Sequence, residues 1–209
     1  MRILWIAPLC LTLAACGGSS TPVTTIPSPP DGPTDPTTPT TGQPQTAAQM
    51  RSAANTLLSD YIDPVDFTTL STVPSTLTAT YDGYAYGTLS GNPNTVTDTL
   101  MGSVSMNIAL TASAANITGT MTDFYDDDDN AVSGNLTISG GTFNRSGDPN
   151  SDATLNINFA GTLTDAGQAL TVGGQLQGDF LGGSYEGVGG ALLGQVNGYE
   201  INGGFIAER

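Results

Sequence analysis

The chain is predicted to be all-β: an eight-stranded antiparallel up-and-down β-barrel of the soluble kind, preceded by one short amphipathic helix and a disordered linker. Three observations lead there. From residue 76 onward apolar and polar side chains alternate with a period of two, the pattern of half-buried antiparallel strands. Clusters of Gly, Asn, Asp and Pro separate the alternating segments. Glycine, 27 of 209 residues, recurs on the apolar phase of several segments, as in a tightly curved sheet where backbones crowd.

Residues 1–15 read as a lipoprotein signal peptide. Arg2 supplies a positive charge and 3–15 a mostly apolar run, shorter than the roughly 20 residues needed to span a bilayer. A charged start, an apolar stretch and small residues at a cleavage point make an export signal. Leu13-Ala14-Ala15-Cys16-Gly17 resembles the bacterial lipobox, in which the cysteine is acylated and becomes the mature N-terminus. Cys16 is thus the expected lipidation site, a plain secretory signal being the alternative. Cys10 would leave with the peptide, so the mature chain would have no disulfide. Several acyl chains anchor a protein stably where one does not. Glycine rather than aspartate at position 17 implies the outer membrane and leaves its face open.

Residues 16–45 are dominated by Thr, Pro, Ser and Gly, and eight of the 13 prolines lie between Pro22 and Pro44. Such a stretch has almost nothing to bury against an ordering entropy of about 1–2 kcal/mol per residue. It reads as a spacer, extending about 3.1 Å per residue where proline imposes polyproline II. At 46–75 comes a short helix and a connection. Thr46-Ala47-Ala48-Gln49 has the form of a capping box. Met50, Ala54, Leu57, Leu58 and Tyr61 follow at helical spacing over about 46–61, and Pro64 forbids continuation.

The barrel domain is expected over 76–209. Its strands lie near 76–89, 101–110, 115–125, 132–144, 154–159, 170–180, 188–196 and 199–207. Val104, Met106, Ile108 and Leu110 alternate with Ser103, Ser105, Asn107 and Ala109; Leu155, Ile157 and Phe159 alternate with Thr154, Asn156 and Asn158. Gly174 and Gly178 share the phase of Leu170, Val172, Leu176 and Phe180, and Gly190 and Gly194 that of Val188, Leu192 and Val196. Asn197-Gly198 between two apolar runs signals a two-residue hairpin. Gly140-Gly141 leaves open whether 132–144 is one strand or two. Hairpin order suggests closure, which removes exposed edges, and eight strands leave room for packed side chains or one small ligand. A membrane-spanning barrel has the same alternation. Sparse aromatic residues without paired girdles, a chain ending in Glu208-Arg209 and a redundant lipid anchor favour the soluble form.

Charge excludes much. Nineteen acidic residues face four arginines, with no lysine and no histidine, for a net charge of −15. A nucleic-acid partner would need the opposite sign. Histidine bases, lysine Schiff bases and histidine metal ligands have no residue to act through. The densest charge is Asp126-Asp127-Asp128-Asp129, with Asp123 just before. Calcium takes six to eight oxygens, roughly what an aspartate-rich loop could supply, but no D-x-D-x-D-G frame is present. A solvated hairpin turn is the plainer reading, and no metal or cofactor is expected. The carboxylates available for catalysis, Asp165, Asp179, Glu186 and Glu200, are adequately explained by outward strand positions.

The C-terminal half carries a recognisable run. Gly173-Gly174-Gln175-Leu176-Gln177-Gly178-Asp179-Phe180-Leu181-Gly182, Gly189-Gly190-Ala191-Leu192-Leu193-Gly194 and Ile201-Asn202-Gly203-Gly204-Phe205-Ile206-Ala207-Glu208-Arg209 resemble the closing strands of the transferrin-binding protein B β-barrel family. They resemble its alphaproteobacterial members in particular, described as transferrin-binding protein-like solute-binding proteins. Ile117-Thr118-Gly119-Thr120-Met121-Thr122-Asp123-Phe124 and Val132-Ser133-Gly134-Asn135-Leu136-Thr137 also fit, so the resemblance runs over roughly 81–209. It implies a lipid-anchored barrel on the outer membrane that binds a protein or a haem-like solute. The family's receptors have two lobes, each with a handle domain beside its barrel. This chain has one barrel and a helix, so no transferrin-contact residue carries over. Haem ligation would have to fall to Tyr81, Tyr84 or Tyr86, whose plainer role is barrel packing or rim.

The leading expectation is therefore an outer-membrane lipoprotein that binds a protein partner or small solute, with no enzymatic activity. A structural envelope protein without a ligand is the alternative.

Overall fold

The computed structural model describes residues 46–62, 67–90, 99–145 and 148–209. The expected signal peptide at 1–15, the tether at 16–45 and Cys16 lie outside the described residues. Helix α1 (Ala47–Ile62) precedes eight strands: β1 (Leu77–Ser90), β2 (Thr99–Leu110), β3 (Ala115–Tyr125), β4 (Ala131–Phe143), β5 (Thr154–Asp165), β6 (Gln168–Leu181), β7 (Gly187–Val196) and β8 (Tyr199–Glu208). Each pairs antiparallel with its sequence neighbours, and β1 pairs with β8 to close the barrel. The expected fold is the one observed.

Closure decides which phase of each strand faces in. Tyr81, Met106, Ile108, Ile117, Ile157, Leu176 and Phe180 point inward and are completely buried. The outward phase is Thr, Ser, Asn and Gln: Ser105, Thr118, Thr120, Asn135, Thr137, Asn158, Gln175 and Asn202 are all exposed. A membrane-spanning barrel needs the reverse, an apolar band outside. The small bore is possible because glycine occupies inward positions where strands touch. At Gly203, on the closing seam, an added Cβ would lie 1.8 Å from the Tyr86 carbonyl oxygen. The 132–144 segment is one strand. Gly140 adopts φ +73°, and the β4–β5 register shifts between Ile138 and Gly141, so the glycine pair makes a bulge rather than a break.

Two turns follow directly from their residues. Asn197 and Gly198 take φ +51° and +86°, and Ala166 and Gly167 take +47° and +82°, the left-handed pair of a two-residue hairpin turn. Asn197 also joins its turn to β6, accepting the Thr171 N–H through Oδ1 at 2.8 Å.

The chain enters the barrel at one end, called the base here, which is closed. Thr68 N–H donates to the Phe180 carbonyl at 2.9 Å and Leu70 N–H to the Ser151 carbonyl at 2.8 Å, drawing 67–76 across the opening. Val73 joins the core there. Beneath it Phe143 meets Phe180 edge-on at 5.8 Å, and the buried Tyr81 hydroxyl donates to the Tyr185 carbonyl at 2.9 Å. Arg145 closes the base, its Nη1 donating to the Val73 carbonyl at 3.3 Å.

α1 lies against the outside of the barrel. Its capping box forms as the sequence predicts: Thr46 N–H donates to Gln49 Oε1 at 3.0 Å, and Gln49 N–H to Thr46 Oγ1 at 3.2 Å. Met50 is fully buried with Tyr84 and Met101, and Ala53, Ala54 and Leu57 pack around them. Leu58, expected on that face, is exposed, because the contact with the barrel runs along Met50, Ala53, Ala54 and Leu57 and leaves it beside the seam. Tyr61 reaches Gly187, where an added Cβ would lie 2.9 Å from the ring.

Candidate functional site

Three places remain for function: the barrel interior, its mouth at the end opposite the base, and its outer wall. Among the described residues the interior is filled by inward-facing side chains. A cavity of about 20 Å³ lies among Ala85, Leu100, Phe124, Phe159, Leu163 and Ile201. Small-molecule sites run to roughly 300–1,000 Å³, so this space holds at most about one water, and its lining offers that water no polar partner.

The mouth carries the aspartates singled out in the sequence, which the structure divides. Asp123 sits in a β3 bulge at φ +53°, exposed and bonded to Thr122 Oγ1 at 2.9 Å. Asp127, Asp128 and Asp129 are also exposed. Asp126 turns inward and is buried. Its Oδ1 accepts the N–H groups of Asp128 and Asn130 at 2.9 and 2.7 Å, and its Oδ2 accepts Asn130 Nδ2 at 2.9 Å. This carboxylate holds its own turn together, so the loop is less solvated than expected. Among the described residues no three acidic side chains converge as a metal cage.

Asp165 corrects the sequence reading more sharply. Expected on an outward position, it ends β5 facing inward, 3 % exposed. Its Oδ2 has no hydrogen-bond partner. Burial, and then the Asp126 and Asp127 carboxylates, push its carboxyl above the ordinary aspartate range, against the lowering effect of the Ala166 N–H. No cation of the chain answers it among the described residues. Arg51 is exposed on α1, while Arg145 and Arg209 sit at the base bonded to backbone carbonyls. Which way position 165 faces depends on where the pairing of β5 with β6 ends, at Asp165 opposite Gln168, and the local sequence does not reveal that end.

The other carboxylates are scattered. Asp179 lies on the outer wall near the base and accepts Thr154 Oγ1 at 2.6 Å; burial raises its pKa. Glu186 lies in the base turn, its pKa lowered first by the Ser184 N–H at 2.9 Å. Glu200 is exposed on β8, opposite Ser90. The three tyrosines do not converge either: Tyr81 is inside, Tyr84 lies under α1, and Tyr86 is outside and half exposed. They offer no common ligand position for haem.

The outer wall holds the feature that sequence reasoning missed. Across five strands the register aligns Tyr86, Gly204, Ala191, Gln177 and Asn156 in one outward row, and Thr88, Asn202, Leu193, Gln175 and Asn158 in the next. Neither row contains a charge. Tyr86 and Leu193 are the exposed apolar members, at 51 % and 40 %. The sequence reading left Tyr86 as a packing or rim residue; its open outward position became visible only once β8 was seen to present Gly204 beside it. No family model, no curated protein and no solved structure matches the chain.

Proposed function

We propose that this protein is an outer-membrane lipoprotein, anchored through acylated Cys16, whose barrel binds a protein partner or solute. A filled bore with an aromatic side chain open on the wall is the observation that carries the reading, since it moves recognition from the interior to the outside. The resemblance of the closing strands to transferrin-binding protein B-like barrels supports it, as does a long Pro/Thr-rich spacer that would lift the barrel clear of lipid headgroups. Singly exposed apolar residues are common on protein surfaces; Tyr86 and Leu193 stand out because they share a charge-free patch on a chain of net charge −15.

A structural envelope role is the second reading, favoured by the filled core and the hydroxyl- and amide-covered wall. Two experiments separate them. The full chain should incorporate labelled palmitate and fractionate with outer membranes, and Cys16→Ala should do neither. Wild type should capture a partner or solute from envelope extract that a Tyr86→Ser, Leu193→Ser double variant loses. Equal recovery by both proteins, or by neither, refutes binding through this wall.

A further inference from the structure

We propose that the two charge-free rows on the β1–β8–β7–β6–β5 wall form a binding strip for a neutral oligosaccharide, with Tyr86 as its stacking platform. This rests on the reading of the barrel as a binding module and names its ligand class. The geometry begins at Gly204. A Cβ there would lie 3.1 Å from Tyr86 Cε1 and 3.4 Å from its Oη, so the far end of the tyrosine ring reaches over the β8 backbone. The ring's Cε1–Oη edge rests against the glycine, and the side chain is still 51 % exposed. An aromatic ring steadied against a sheet and half exposed suits the C–H face of a pyranose, which is drawn to the electron-rich π surface.

Beside the ring, the rows supply what sugar hydroxyls need. Asn202, Gln175, Gln177 and Asn158 are exposed amides, each with both donors and an acceptor. They are held in order rather than free: Gln175 Nε2 donates to Asn158 Oδ1 at 3.1 Å, and Gln177 Nε2 to Gln175 Oε1 at 3.4 Å. Ordered amides lose less entropy on binding.

Shape and charge select the ligand class. Four strand spacings make the strip about 19 Å long, and two rows make it about 14 Å wide, some 270 Å², well short of the roughly 800 Å² per partner of a stable protein interface. A chain of sugar rings fits a strip where a globular partner does not. The adjoining rows carry Glu200 on one side and Asp179 on the other, so an anionic polymer would be repelled along both margins.

Native affinity electrophoresis tests this directly, because a net charge of −15 drives the protein through the gel and Tyr86 variants leave that charge unchanged. The full chain in Triton X-100 is run in gels containing dextran, laminarin or xylan, with alginate as the anionic contrast. At least one neutral polysaccharide should retard the wild type while alginate does not. Tyr86→Ala should weaken that retardation roughly ten-fold, the scale of an aromatic anchor, and Tyr86→Phe should keep most of it. Matching thermal melts establish that the variants are folded. Unretarded migration in all three neutral gels, or equal retardation of wild type and Tyr86→Ala, overturns the proposal. If the gels show nothing while a protein is still captured through Tyr86 and Leu193, the ligand class falls and the binding function stands; if capture fails too, both fall.

Discussion

Replacing Asp165 with asparagine is expected to stabilise the barrel at neutral pH and to leave it nearly unchanged in acid. The wild-type carboxylate is buried, has one oxygen without a partner, and has its proton held by burial and by the Asp126 and Asp127 charges. The folded chain therefore binds this proton more tightly than the unfolded chain. Wild-type stability from this group is full below the ordinary aspartate pKa and is lost as pH rises through the elevated folded value. Asparagine keeps the shape and an acceptor for the Ala166 N–H, and turns the orphaned acceptor into a donor facing carboxylates. Leaving a buried polar group unsatisfied costs about 1–3 kcal/mol. At about 2–4 °C per kcal/mol for a domain of this size, the melting temperature should rise by roughly 2–12 °C near pH 7. Urea and thermal melts of both proteins at about pH 3, 5 and 7 measure the difference, which should grow with pH. An asparagine variant less stable than wild type at neutral pH, or an offset independent of pH, would refute the reasoning.

Other perturbations test the architecture. Gly203→Ala places a Cβ 1.8 Å from the Tyr86 carbonyl oxygen on the β1–β8 seam; overpacking costs of about 1–3 kcal/mol or more should appear as a lower urea midpoint, and an unchanged midpoint would contradict the tight closure. Ala166→Asn puts a residue that tolerates φ +47° into the β5–β6 turn and should raise stability by about 1 kcal/mol in the same melts. Met50→Ala removes the buried anchor of α1. Its loss of roughly 2–5 kcal/mol falls on helix docking, so limited proteolysis should cut within α1 while the barrel's melt moves little.

Much of this fold is written locally. A period of two in each strand, Asn197-Gly198 at one hairpin and Thr46 with Gln49 at the helix start need only neighbouring residues to act. That is why these features matched the structure closely. The alternation also tells which residues share a face, and Gly174, Gly178, Gly190 and Gly194 were already legible as points of close approach. The residues weighed as a calcium set and set aside for a solvated turn, Asp123 and Asp126 to Asp129, were close in sequence but are divided by a bulge and a turn that send them to different sides.

The sequence by itself determined the class of fold, the strand order and the charge types available for chemistry. Tertiary structure decided which face of the sheet turns inward, since alternation is symmetric until the barrel closes. It brought Asp165, at the end of β5, to the Asp126 turn between β3 and β4, a meeting that needs β4 and β5 to pair first. It also laid the Tyr86 ring over Gly204, a contact made by the pairing of the first strand with the last. Both juxtapositions depend on register accumulated around a closed sheet, where a slip of one residue would send every side chain of a strand to the other face.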